Sequence, residues 1–141
     1  MEPDESLADE SLAEAFGTVA RRLRHRSREA LAPWDITPSQ WRAVATLRRH
    51  PTLRLSELSD HLRIAPRSTT EVVDGLQERG FVERLPDPND RRATLVQLTG
   101  KGSELVAAIG SVRAADAEGI FRVLDDVDRA ELSRILRSLR G

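Results

Sequence analysis

The sequence predicts a mainly α-helical fold with a small β-hairpin wing (α+β): a winged helix-turn-helix with dimerisation helices at its N- and C-terminal ends. Three observations predict it. Residues Leu55 to Thr99 read as helix, tight turn, helix and then a two-stranded hairpin with two arginines at its tip. Apolar residues recur at helical spacing on both sides of that stretch. The chain has 141 residues, 39% hydrophobic and 32% charged, which bounds it to one domain or one domain with helical extensions.

The N-terminal extension is expected at 6–33. Leu12, Phe16, Val19, Leu23, Ala30 and Leu31 recur at spacings of three, four and seven, and Pro33 ends the run. Its upper half is polar on most faces, and a thinly apolar terminal helix needs a partner to cover it.

A compact unit is expected at 36–98. Thr37 is the N-cap of its first helix, Pro38 suits the first turn, and Gln40 completes a capping box. Trp41, Val44, Ala45 and Leu47 form the apolar side, and His50-Pro51 stops the helix. Leu53 to Leu55 form a short strand, and Ser56 caps a short helix that turns Leu58 and Leu62 inward. After a turn at Arg63-Ile64-Ala65, a second helix runs from about Pro66 to Arg79, with Gly80 beyond its end. Thr69, Val72, Val73 and Leu76 face the core, leaving Arg67, Ser68, Thr70, Glu71 and Asp74 outside. Phe81–Leu85 and Ala93–Leu98 alternate as strands around the turn cluster Pro86 to Asp90.

The C-terminal extension is expected at 99–141. Thr99 caps a helix reaching about Leu124, striped by Leu105, Val106, Ile109 and Val112 and weakened by Gly110 and Gly119. Asp125, Asp126 and Asp128 offer caps for a last helix carrying Leu132, Ile135, Leu136 and Leu139. The two extensions lack partners for a core of their own. Mutual packing across a two-fold axis, in a homodimer, is the economical solution.

Composition excludes several function classes. Without cysteine there is no disulfide, zinc-thiolate site or thiol sensor, and a reducing cytoplasm is expected. No apolar run reaches the roughly 18 residues that span a membrane, and the acidic N-terminus has no signal-peptide core. No nucleophile elbow, phosphate loop or HExxH occurs, so no enzyme and no cofactor is expected. His25, His50 and His61 lie far apart without ligand spacing, so no metal is expected either.

Net charge is −1, so basicity is local. Residues 2–14 hold six acids and no base, whereas Arg21, Arg22, Arg24, Arg26 and Arg28 crowd one segment. Lys101 is the only lysine. Arginine suits bidentate phosphate and guanine contacts, although a genome composition bias explains the preference equally well.

The chemistry points to the second helix of the pair. Ala65 is a poor N-cap, so the first backbone N–H groups of that helix are open to a phosphate. Arg67, Ser68, Thr69 and Thr70 cluster at that end, where recognition helices read base edges. The candidate double-stranded DNA contacts are Arg63, Pro66, Arg67, Ser68, Thr69 and Thr70, with Arg91 and Arg92 at the wing tip, where arginine suits a minor groove. Asp90 is expected to shape the wing by pairing with an arginine. The plain alternative is a solvated helical face and a charged turn. Residues 61–92 contain six arginines and six acids, so any basic face must arise through geometry. Trp34 and Trp41 flank the junction of the first two helices, as domain packing or as a wall of a small-molecule pocket.

The run Ile36-Thr37-Pro38-Ser39-Gln40-Trp41, then LSELSDHLRIAPRSTTEVVDGLQERGFVER, then DPNDRRATLVQLT before Lys101-Gly102, resembles the MarR family of bacterial transcription regulators. The likeness covers nearly the whole chain. Its most specific part is the D-x-R wing (Asp90, Arg92) followed by Leu98, Thr99 and Gly102. The resemblance implies an obligate homodimer built by the first and last helices, binding to pseudo-palindromic operators, and usually repression. It also implies an effector of the small aromatic anion class, bound between dimerisation and DNA-binding regions. The chain departs from the pattern at Arg63, where many members have glycine, and in lacking cysteine and tyrosine. A second reading is a winged-helix protein-interaction module without DNA affinity. Salt-dependent duplex binding separates the two.

Overall fold

A computed structural model describes residues 10–141 of the chain. The helix expected from residue 6 is observed as α1, Leu12–Leu31, and its first expected residues lie outside the described ones. A single 3-10 turn, Ala32–Trp34, follows, and Asp35 leaves it in the left-handed region at φ 52°. Helix α2, Pro38–Arg49, opens with the expected capping box: Gln40 N donates to Thr37 Oγ1, and Thr37 N to Gln40 Oε1, each at 3.1 Å.

Strand β1 is Thr52–Arg54, and α3 follows at once as Leu55–Leu62. Ser56 is not its cap. Arg54 holds the N-cap position, and its N–H donates to Glu57 Oε1 at 3.0 Å. The sequence pattern missed this because an arginine carries no acceptor, and the carboxylate three residues on does the capping instead.

Helix α4 is Pro66–Glu78. Gly80, at φ +80°, reverses the chain, with Gly80 N on Gln77 O and Phe81 N on Leu76 O, both at 2.9 Å. Strands β2, Val82–Asp87, and β3, Asp90–Leu98, are longer than expected: of the Pro86–Asp90 cluster, only Pro88 and Asn89 form the turn. The sheet is antiparallel in the order β1-β3-β2. Helices α5, Gly100–Phe121, and α6, Asp126–Leu139, complete the chain, and Asp125 Oδ1 accepts from Asp128 N at 2.7 Å as the cap of α6.

The chain divides into two compact units whose limits differ from the expected 6–33, 36–98 and 99–141. One is Ala30–Val112; the other combines residues 10–29 with Arg113–Gly141. The reason is the core. Leu31 at one end of the central unit, and Leu105, Val106 and Ile109 at the other, join Val44, Leu47, Leu58, Leu62, Val73, Leu76 and Val96 in a single buried cluster. Each such aliphatic side chain contributes roughly 1.5–3 kcal/mol on burial, so the start of α5 belongs to the winged helix.

Gly102 seals that join. A Cβ there would lie 2.0 Å from the Phe81 carbonyl oxygen, so only glycine lets α5 approach. Thr99 Oγ1 donates to Gly80 O at 2.5 Å and accepts from Gly102 N at 3.1 Å. The Leu98-Thr99-x-x-Gly102 signature is thus a physical clasp.

Within the terminal unit no described residue is buried. Leu12, Phe16 and Leu139 are 91%, 59% and 73% exposed. An open cavity of about 840 Å³ is lined there by Phe16, Phe121, Leu124, Leu136 and Leu139 among others. Arg26 donates to the Asp116 carbonyl at 3.1 Å and passes over Gly119, where a Cβ would stand 2.7 Å from its Nη1. No helix among the described residues is long and apolar enough to cross a membrane.

Candidate nucleic-acid interface

The turn between α3 and α4 is built without glycine. Arg63 takes φ 55° and ψ 44°, the left-handed conformation, at a cost of about 1–2 kcal/mol for an L-residue. Several bonds repay it. Arg63 N reaches Asp60 O at 3.3 Å, Ile64 N reaches Ser59 O at 3.4 Å, and Arg42 Nη2 caps the helix end at Leu62 O at 2.6 Å. The departure noted at Arg63 therefore leaves the turn intact and sets an exposed cation at its apex.

Across this turn, Ser59 Oγ donates to Thr69 Oγ1 at 2.7 Å, and Thr69 Oγ1 donates to Ala65 O. Thr69 is fully buried. It is withdrawn from the DNA-contacting set: its side chain faces the partner helix and cannot reach a base. It belongs to the inward stripe of α4 with Val73 and Leu76.

The other expected residues at the start of α4 are solvent-facing. Pro66, Arg67, Ser68 and Thr70 are exposed. Ala65 makes no side-chain cap, Pro66 has no N–H, and the first helical bond is Thr69 N to Ala65 O. The amides of Arg67 and Ser68 therefore point out of the positive end of the helix without an intrahelical acceptor. Thr70 spends its proton on Pro66 O and keeps lone pairs to offer.

At the hairpin, Pro86 pairs with Thr94 but Asp87 pairs with Asp90. Residues 91–93 thus have no partners on β2, and Arg91 and Arg92 leave the ladder exposed. Asp90 shapes this tip differently from expectation. Its Oδ1 accepts from the backbone N–H of Arg92 at 2.9 Å, an Asx turn, and no arginine side chain is its partner among the described residues.

The charge balance over 61–92 now has a geometry. Asp74 is held by Arg84 at 2.5 Å, Asp87 by Arg54 at 2.9 Å, and Glu83 accepts from Gln97. Arg84 also donates to Gln77, and Arg79 donates to the carbonyls of Trp34 and Asp35. Arg63, Arg67, Arg91 and Arg92 have no acid partner among the described residues. Asp74 and Asp87 are thus paired within the protein, Glu71 and Glu78 stay exposed on α4, and the four arginines expected to meet DNA are in no ion pair among the described residues.

Two further expectations change. His50 and His61 are not far apart: their rings stack with centroids 4.5 Å apart, because α3 folds back on the end of α2. No group of three metal-ligating side chains exists among the described residues. Trp34 and Trp41 are half-buried and pack against the hydrophobic core, and neither lines the cavity in the terminal unit or that beside the wing. Both contribute to the packing of the core. Arg79, stacked 5.0 Å from the Phe81 ring and bonded to the Trp34 carbonyl, pins that corner.

Sequence reasoning missed Arg54 and Asp87. Asp87 lies inside a Pro-Asp-Pro-Asn-Asp run that reads as turn chemistry throughout, and Arg54 reads as the middle of the short strand expected at Leu53 to Leu55. Only their approach over 33 positions gives either a role.

The signature of the MarR family matches residues 36–94. An HTH-type transcriptional regulator of Mycobacterium bovis is 33% identical over 138 residues, covering 98% of this chain and 90% of its own. MarR from E. coli in its apo form superposes with a TM-score of 0.84 at 27% identity, covering 94% of this chain and 98% of that one. A mutant of the same protein complexed with operator DNA gives 0.77 at 27% identity, over 92% and 94%. The transcriptional repressor CouR, bound to a 23-mer DNA duplex, gives 0.80 at 25% identity over the full length of both chains.

Proposed function

Because this chain belongs to the MarR family, we propose that it is a sequence-specific, DNA-binding transcriptional regulator, acting as a homodimeric repressor on a pseudo-palindromic operator. One observation carries the reading. Arg63, Arg67, Arg91 and Arg92 are exposed and have no acid partner among the described residues at the turn, the start of α4 and the wing tip, while Asp74 and Asp87 are paired with Arg84 and Arg54. Arg67, Ser68 and Thr70 would meet base edges and phosphates in a major groove, with Pro66 and the open amides of α4 against the backbone. Arg91 and Arg92 would enter the adjacent minor groove.

A homodimer is supported by the terminal unit, which buries none of its described residues and exposes Leu12, Phe16 and Leu139. A second copy covers such faces by two-fold symmetry. The related proteins are regulators, and the reading needs no catalysis and no cofactor. A regulator of this kind works in the cytoplasm, beside the DNA it controls.

Fluorescence anisotropy on duplexes from the region upstream of its own gene tests the proposal. Binding should weaken by about a thousandfold or more between roughly 50 and 200 mM salt if six or more phosphates are contacted. Half-sites should lie about 10 base pairs apart. Absence of duplex binding at low salt would favour the protein-interaction reading instead.

A further inference from the structure

Arg84 ties the base of the wing to α4 through Asp74 and Gln77, and a second tie lies nearer the tip. Arg54 ends β1 and occupies the N-cap position of α3, and its Nε donates to Asp87 Oδ2 at 2.9 Å. Asp87 ends β2, and its side chain is 5% exposed. Strands β1 and β2 flank β3, so this bond crosses the middle strand. Arg54 and Leu85 both pair with Leu95, which means that Arg54 reaches two residues further along β2, toward the tip.

From Asp87 the order passes outward. Its Oδ1 accepts from Asn89 N at 2.9 Å, and Asp90 Oδ1 accepts from Arg92 N at 2.9 Å. The ladder has no further rung between the Asp87–Asp90 pair and the Pro86–Thr94 pair, which is where Arg91 and Arg92 emerge. Arg54 and Arg92 line the same small cleft of about 310 Å³ between the start of α3 and the wing.

We propose that Arg54 is a positioning residue: acting through Asp87, it fixes the direction in which Arg91 and Arg92 leave the hairpin, so that both wing arginines are aimed before DNA arrives. The inference rests on the DNA-binding reading above and extends it to how the wing is aimed. The physical argument is preorganisation. A two-stranded tip with no fixed point swings freely, and immobilising it on binding consumes affinity. A buried carboxylate also demands a cation, so the pair forms in one geometry only. Turn formation alone needs no charge there; an Asn at position 87 could accept from Asn89 N equally well.

The test uses the intact dimer and its operator duplex, comparing wild type, Arg54→Ala, the Arg91→Ala/Arg92→Ala double variant and the triple variant. Arg54→Ala should lower affinity about tenfold and reduce the salt slope by about one unit. In the background lacking both wing arginines, the same change should have no further effect. A loss of equal size in both backgrounds would overturn the proposal, since Arg54 would then act through the fold or the recognition helix. Unchanged affinity of Arg54→Ala with the wing intact would overturn it as well. Asp87→Asn, which keeps shape and removes charge, should repeat the pattern, and it decides the matter if Arg54→Ala does not fold. The underlying reading fails separately, if the Arg91/Arg92 double variant binds operator as wild type does.

Discussion

The hydroxyl of Ser59 donates to the hydroxyl of Thr69 across 2.7 Å, with Ser59 5% and Thr69 0% exposed. This bond joins the two helices of the helix-turn-helix on the face of α4 that also buries Val73 and Leu76. Thr69→Val keeps the shape and removes the acceptor, leaving a buried hydroxyl unsatisfied. A loss of about 1–3 kcal/mol of stability is expected by urea denaturation. An unchanged midpoint would show that the bond adds no net stability.

Gly102 and Gly100 make a matched pair. A Cβ at Gly102 meets the Phe81 carbonyl at 2.0 Å, whereas one at Gly100 meets nothing within 4 Å. Gly102→Ala should cost about 2–3 kcal/mol, and Gly100→Ala should be neutral or stabilise by up to about 1 kcal/mol. In thermal unfolding, Gly102→Ala should therefore melt at a lower temperature than wild type, and Gly100→Ala at the same or a higher one. Equal melting temperatures would contradict the clasp between α5 and the turn after α4.

Arg91→Ala and Arg92→Ala should each weaken operator binding by about 1–3 kcal/mol and lower the salt slope by about one. Neither side chain has a hydrogen-bond or ion-pair partner among the described residues, so the melting temperature should stay put. A shift in melting without a shift in slope would make these arginines structural.

Arg67→Ala should alter which sequences are chosen, because its side chain stands at the exposed start of α4, where base edges are read. Selection from a randomised duplex pool, compared with wild type, reads this directly. Recovery of the same motif at lower affinity would reassign Arg67 to the phosphate backbone.

Phe16→Asp and Leu139→Asp place a charge on apolar side chains 59% and 73% exposed in the single chain. If a second copy covers them, each variant should sediment as monomer or aggregate at concentrations where wild type is a dimer. An unaltered dimer would locate the interface elsewhere.

How much of this was legible in the sequence follows from the range of the forces involved. The helix-turn-helix, the hairpin and the capping box at Thr37 and Gln40 rest on chemistry confined to a few consecutive residues, and they read off directly. So did the exposed start of α4, since Ala65 and Pro66 cannot cap it and Arg67, Ser68 and Thr70 lie off the apolar stripe.

Other assignments required contacts between distant segments. Thr69 fits both a core stripe and a helix N-terminal contact patch, and only the approach of Ser59 on α3 decides for the core. His50 and His61 meet because α3 folds back, which no spacing rule encodes. The winged-helix core recruits Leu31 and Leu105 from outside its motif, because buried area does not respect motif boundaries. The balanced charge of residues 61–92 resolves the same way. Composition determined how many arginines and acids the segment holds. Tertiary structure, by bringing Arg54 to Asp87 and Arg84 to Asp74, decided which charges cancel and which arginines are left facing outward, because electrostatic pairing depends on separation in space and the chain order does not specify it.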